Sequence, residues 1–237
     1  MNPTWAVAGA VLGLLAGAVI RGSVFRFSVP GGDPGRVACP RCSAPARGRL
    51  AIRCGQCKKS LGTPLALELS TAVVLALLLG RFGGQPDVLA FGFLGVLGVA
   101  LAAIDIAVQR LPDPLTLPAY PLLIMLLVGA AIAGHDFAAL LRALLGGLTL
   151  AGAFLALALV RPGQLGGGDI KLAGLIGLAL GWLGWPILIL GAVLGFVLSA
   201  IASLALLAAR RITLHGAICF GPFLLGGALV AVLAGGR

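Results

Sequence analysis

Long apolar runs separated by short polar or glycine-rich stretches dominate the pattern of this chain. At about 1.5 Å of rise per helical residue, such runs suit the crossing of a hydrocarbon core about 30 Å thick. The charge-free run 172–209 is too long for one crossing, and we expect it to turn back at GWLGWP, where Gly and Pro break a helix. The pattern predicts eight spans: 5–20, 65–80, 88–104, 114–134, 137–160, two within 172–209, and 216–234.

Composition supports this interpretation, because 60% of the residues are hydrophobic and 10% are charged, against about a quarter charged in globular domains. We predict an all-α polytopic membrane protein with about eight transmembrane helices and a small cytoplasmic zinc-binding loop domain. Its parts are a first helix with its polar end at 1–30, a cysteine module at 31–63 and a seven-helix domain at 64–237. No cleavage pattern follows the first span, so we expect that span to be retained.

The net charge of +10 would suggest nucleic-acid binding in a soluble protein, but a positive-inside bias explains it better. With the cysteine module in the cytoplasm, all but three of the 17 Lys and Arg residues fall on that side. The exceptions are Arg81, Arg142 and Arg237. We therefore expect a lipid bilayer and no nucleic acid as partners, with Asp105 and Asp169 both at the cytoplasmic face.

Those two acids are the first catalytic candidates, since an ionisable group at membrane depth is costly and usually functional. Two carboxylates that share a proton can activate a water between them. Asp169 stands where a helix should begin, and the helix dipole favours its charged form, which makes it the candidate base. The alternatives are that Asp169 only caps that helix and that Asp105 is a helix-end acid, solvated or paired with Arg110.

Three glycines, Gly166, Gly167 and Gly168, precede Asp169 in the stretch GGGDIKL. Residues without a Cβ permit positive φ and the close approach of an extended substrate backbone, which predicts a substrate-docking role. The alternative is a flexible turn.

Asp113, in LPDPLT, is interpreted as a turn and helix cap. Glu68, in PLALELST, is equally compatible with a first-turn acid favoured by the dipole and with a ligand for a cationic group.

Cys39, Cys42, Cys54 and Cys57 form two CxxC pairs. This pattern is typical of a structural zinc site in a reducing compartment and of disulfides in an oxidising one. The predicted cytoplasmic position favours zinc. There is no HExxH, and the two histidines are predicted on opposite membrane faces, so zinc-protease and serine-hydrolase chemistry are excluded.

The residues together resemble the bacterial type IV prepilin peptidases, membrane aspartyl proteases of the GxGD type. The similarity lies in AAIDIAVQRLPDPLT, in GGGDIKL, in the two-CxxC loop, in PLALELST and in ICFGPFLLGGAL. The resemblance implies that Asp105 and Asp169 are catalytic. It also implies that prepilins or pseudopilins of type IV pilus and type II secretion systems lose their leaders at the cytoplasmic face of the inner membrane.

In many members methylation of the new N-terminus by S-adenosylmethionine follows, with Glu68 a candidate for that site. Two departures bear on methylation: Arg21 stands where Asn is expected, and the loop between the cysteine pairs is short. Two other functional classes are alternatives. One is a proton-coupled transporter that uses intramembrane carboxylates, and the other is a thiol oxidoreductase that uses outward-facing cysteines.

Overall fold

The computed structural model describes residues 2–29, 35–36, 38–39, 42–44, 54, 56–57, 65–160, 166–209 and 219–235. Within these ranges the chain forms eight α-helices: α1 Pro3–Phe27, α2 Ala66–Phe82, α3 Val88–Val108, α4 Asp113–Gly134, α5 Phe137–Val160, α6 Gly167–Leu183, α7 Trp185–Ala208 and α8 Gly221–Ala234. Most of the predicted cysteine module lies outside the described residues, as do Asp33, Arg161, Arg210, Arg211, His215 and Arg237.

Five of these helices, α1, α3, α4, α5 and α7, are long and apolar enough to cross a membrane. The other three are shorter: α2 and α6 have 17 residues each and α8 has 14. At about 1.5 Å per residue, α6 is about 26 Å long, slightly less than the hydrocarbon core. The predicted all-α, multi-pass membrane fold is confirmed.

The predicted break in the charge-free run lies inside GWLGWP. Helix α6 ends at Leu183 and α7 begins at Trp185. Gly184, between them, has a φ of +131°, a conformation that side chains with a Cβ rarely adopt. Pro186 occupies the first turn of α7, where its missing N–H costs no hydrogen bond.

The chain divides into two compact units, residues 1–110 and 111–237. In the first unit, α1 packs on α2 through Gly9, Gly13 and Gly17, spaced four residues apart and all buried. A Cβ at Gly13 would lie 2.4 Å from the Cα of Ala72. The backbones of α1 and α2 therefore approach at a distance that only glycine allows, as small residues do in membrane helix pairs.

Helix α3 completes the helical part of the first unit. The chain turns from α2 into α3 at a stacked pair of rings, Phe82 and Phe91, whose centroids are 4.3 Å apart. The buried face of α3 then runs along Leu97, Leu101 and Ile104. It follows the 3.6-residue period that places one stripe of a helix against its neighbours.

The second unit is built around α6, which is buried at every position from Leu172 to Trp182. Helices α4, α5, α7 and α8 all contact it. A Cβ at Gly146 of α5 would lie 2.7 Å from the carbonyl oxygen of Gly177, so α5 and α6 also meet backbone to backbone. A helix that is apolar all round belongs in such a core, and the sequence places Asp169 at its start.

Candidate active site and metal centre

Asp169 is the third residue of α6 and is half-buried. Its backbone N–H donates to the carbonyl oxygen of Gly166 at 3.0 Å, and the N–H of Gly166 donates to its Oδ2 at 3.3 Å. These reciprocal bonds satisfy backbone donors at the start of the helix. Asp169 thus acts as a helix cap, and its catalytic role stays a prediction.

The glycine run before Asp169 forms the start of α6. Gly166, the N-cap, has a φ of −74°, and neither Gly167 nor Gly168 has positive φ. None of the three therefore uses the positive φ that glycine permits, and the run leads directly into the helix. A Cβ at Gly168 would lie 2.8 Å from the Cβ of Leu111, whereas one at Gly167 would meet no described atom within 4 Å. Substrate docking at this run stays a prediction.

Asp105 lies in the last turn of α3 and is 5% exposed. It continues the buried stripe of that helix one residue beyond Ile104, at a position where the pattern requires an apolar side chain. Gln109, in the left-handed region at a φ of +51°, ends the helix and donates its N–H to the carbonyl oxygen of Asp105 at 2.7 Å. A buried acid on an apolar helix is a functional candidate.

The two acids lie in different units: Asp105 in the first and Asp169 in the second. Sharing of one water between their carboxylates stays a prediction.

Asp113 does not cap α4, contrary to the sequence prediction. Pro112 is the N-cap, and Asp113 is the first residue of the helix and makes no capping bond. Its Oδ1 instead accepts a hydrogen bond from Lys171 Nζ at 2.6 Å. Sequence reasoning missed this contact, although a lysine two residues after Asp169 in an otherwise charge-free helix needs a partner or water.

Glu68 forms a buried ion pair with Arg21, between its Oε1 and the Nη2 of the arginine. The two side chains are only 10% and 8% exposed. Glu68 lies in the first turn of α2, so both alternatives hold: the dipole favours it, and it binds a cationic group, that of Arg21. Arg21 Nε and Glu68 Oε2 are buried without a hydrogen-bond partner in the described part of the chain.

Sequence reasoning overlooked Arg21 as a partner for Glu68. The available signal was its spacing, because it follows Gly9, Gly13 and Gly17 at the same four-residue interval, and all four are buried on one face of α1. Residues four apart lie one above another on a helix, so Arg21 continues the face that contacts α2.

The four module cysteines come together, and their Sγ atoms all lie within 4.8 Å of one another. The Sγ separations are 3.7 Å for Cys39 and Cys57 and 3.4 Å for Cys42 and Cys54, and no disulfide joins the described cysteines. A tetrahedral site with metal–sulfur bonds of about 2.3 Å has edges of about 3.8 Å. The donor set therefore fits a four-coordinate metal ion.

The backbone around this cluster favours the thiolate form of Cys54. Hydrogen bonds from the N–H groups of Cys57 and Gln56 lower the pKa of the Cys54 thiol to about 6. Because the thiolate is the form that binds metal, these backbone donors prepare this cysteine as a ligand.

Known proteins resemble this chain over most of its length. Residues 91–206, which include Asp105 and Asp169, match the type IV leader peptidase family. The chain is 34% identical over 221 residues to a prepilin leader peptidase/N-methyltransferase of Pseudomonas aeruginosa, covering 84% of this chain and 71% of the relative. A protein of the same name from Aeromonas salmonicida is 34% identical over 213 residues, covering 84% and 72%.

A third protein of that name, from Burkholderia pseudomallei, is 31% identical over 219 residues, covering 84% of this chain and 67% of the relative. No solved structure was found to match. Identity at this level across most of both chains, together with the matched segment that carries both acids, places the sequence: the chain belongs to the type IV leader peptidase family.

Proposed function

We propose that this protein is a prepilin leader peptidase that cuts its substrates with Asp105 and Asp169. The observation that carries the proposal is that the segment matching the peptidase family contains both helix-end acids, Asp105 buried and Asp169 partly exposed. The names of the relatives favour this hypothesis over a transporter. The substrates are prepilins, the class in the relatives' printed names, or the related pseudopilins.

The two carboxylates supply the chemistry that peptide hydrolysis requires. One accepts a proton from a water molecule, whose oxygen attacks the carbonyl carbon of the scissile bond. The other, protonated, donates its proton to the leaving nitrogen as the carbon–nitrogen bond breaks. The products are the free leader and a pilin with a new N-terminal amine. Because interacting carboxylates titrate as a pair, the base and acid roles belong to the pair.

The active site faces the cytoplasm from the inner membrane in this proposal. If each helix crosses the bilayer in turn, the end of α3 and the start of α6 face the same membrane side. The cysteine module falls on that side too, together with all but three of the Lys and Arg residues of the chain.

The test is cleavage of a purified prepilin by the purified protein in detergent. The readout is the mass of the pilin N-terminus. We expect Asp105→Asn and Asp169→Asn each to lower the cleavage rate on the order of 10³-fold or more. The matched control is Asp136→Asn at the start of α5, where the Asp136 carboxylate accepts the Ala139 N–H at 2.8 Å. Asn keeps that cap, so this variant should cleave normally. Wild-type cleavage by a folded Asp169→Asn protein would sink the mechanism.

N-methylation of the new pilin terminus from S-adenosylmethionine is the second proposed activity. It rests on the relatives' printed names. Glu68 is the candidate residue for this step, and in this chain Arg21 is its cationic partner. Adding S-adenosylmethionine to the cleavage assay tests the proposal, since a methylated product gains the mass of one methyl substituent. Loss of the leader with no such gain leaves the chain a peptidase only.

Zinc is the metal that we propose for Cys39, Cys42, Cys54 and Cys57. Four thiolates close the coordination shell, so the ion is structural and leaves no position for substrate. It would supply folding free energy to a module too short to build a hydrophobic core of its own.

A further inference from the structure

The first two turns of α6 are joined to α4 by an ion pair. Lys171 Nζ donates to Asp113 Oδ1 at 2.6 Å, with the two side chains 35% and 55% exposed. A pair this exposed contributes at most about 1 kcal/mol to stability. Its consequence is geometric: it joins the start of α4 to a residue two positions after Asp169.

A second bond acts on the same residue of α6. The hydroxyl of Tyr120, on α4, donates to the backbone carbonyl oxygen of Lys171 at 2.6 Å. That carbonyl lies in the second turn of α6, away from the helix end where carbonyls lack intrahelical partners, so the bond is an additional tie. It depends on Gly174, where a Cβ would lie 2.1 Å from the tyrosine hydroxyl oxygen.

A third contact precedes these two. Leu111, just before α4, packs against Gly168. A Cβ added at Gly168 would lie 2.8 Å from the Cβ of Leu111. The three positions held on α6 are Gly168, Lys171 and Gly174, spaced three residues apart. At about 100° per residue, the direction of Asp169 around the helix axis differs by roughly 100° from that of Gly168, by roughly 160° from that of Lys171 and by roughly 140° from that of Gly174.

We propose that Lys171 and Tyr120 are positioning residues for Asp169. With Leu111 and Asp113 they form a clamp, defined by the pairs Leu111–Gly168, Asp113–Lys171 and Tyr120–Lys171. The clamp fixes the rotation and height of the first turn of α6 and so keeps the Asp169 carboxylate on the side away from α4. This inference rests on the proposed catalytic role of Asp169.

Prepilin cleavage kinetics test the clamp. Lys171→Met, which keeps the apolar stem and removes the ammonium, and Tyr120→Phe, which removes one hydroxyl, should each lower kcat. We expect a loss of about 10- to 100-fold, as for small misplacements of catalytic groups, with a smaller change in KM. The double variant Asp113→Lys, Lys171→Asp restores the ion pair with its charges exchanged and should recover most of kcat. Arg142→Met, a matched loss of a cation from α5, should leave kcat unchanged.

A second measurement follows the position of the first turn without activity. In an Asp169→Cys background, the rate of modification by N-ethylmaleimide at position 169, read by mass spectrometry of that peptide, should change when Lys171→Met or Tyr120→Phe is added. Unchanged labelling together with wild-type kcat in both clamp variants would overturn the inference while Asp169→Asn stays inactive. Retained cleavage by Asp169→Asn would overturn the proposed function and the clamp together.

Discussion

The buried ion pair between Arg21 and Glu68 provides a stringent test of how α1 is held on α2. Their side chains are 8% and 10% exposed, so removal of one partner leaves the other charge desolvated and unpaired. Such a loss costs about 3–5 kcal/mol of unfolding free energy. Replacing both partners by apolar side chains removes the desolvation penalty together with the attraction and is often nearly neutral.

Two unsatisfied atoms of the pair strengthen the expectation that replacing both partners is nearly neutral. Arg21 Nε and Glu68 Oε2 are buried without hydrogen-bond partners among the described residues. An incompletely satisfied pair recovers less of its desolvation cost than a fully bonded one. We therefore expect the Arg21→Met, Glu68→Met double variant to be more stable than either single variant.

The assay is unfolding in mixed micelles by increasing sodium dodecyl sulfate, followed by helicity in circular dichroism. The wild type, the two single variants and the double variant form a double-mutant cycle, which gives the coupling free energy between the two side chains. The control is Arg26→Met on the same helix, because Arg26 is exposed and such changes usually stay within about 0.5 kcal/mol. If the destabilisations of the two single variants simply added in the double variant, the side chains would be energetically independent and the reasoning would be refuted.

Two further outcomes follow from the packing and the cysteine cluster. Gly13→Ala places a Cβ 2.4 Å from the Cα of Ala72 and should cost about 1–3 kcal/mol. Gly129→Ala, with no described atom within 4 Å of the new Cβ, should be neutral or stabilising by up to about 1 kcal/mol; equal effects in the same micelle titration would argue against backbone contact. Purified protein should hold about one zinc per chain by mass spectrometry, lost in Cys39→Ser and kept in Cys219→Ser, and a folded, metal-free wild type would contradict the site.

The lengths of the apolar runs were enough to predict the helices, because in a membrane the length of an apolar run is itself a structural constraint. The break at Gly184 was predictable for the same reason: the run 172–209 exceeds one crossing and offers one Gly- and Pro-rich point at which to turn. The cysteine cluster was predictable because paired CxxC spacing specifies metal ligands directly.

The charged contacts were not predictable in the same way. Lys171 and Asp113 are 58 residues apart in sequence, and no period in the chain indicates which charges meet. The requirement for glycine at position 168 was not predictable for a related reason. Leu111, 57 residues earlier in the sequence, packs where a side chain at this position would be. Such requirements come from tertiary packing and leave no local pattern.

One row on α1 connects the membrane part of the first unit to its cysteine cluster. After Gly9, Gly13, Gly17 and Arg21, the next residue at the same interval is Phe25, which packs against the clustered cysteines. The Arg36 guanidinium lies 5.4 Å from the centre of the Phe25 ring, and the Arg36 N–H donates to the Arg26 carbonyl oxygen at 2.8 Å. A row at this spacing is the ridge that packs two helices closely. The glycines, the ion pair and the cysteine contact therefore follow one another along the length of α1. Arg21, the buried cation of the described residues, lies between the last glycine of the α2 contact and the ring that meets the cysteine cluster.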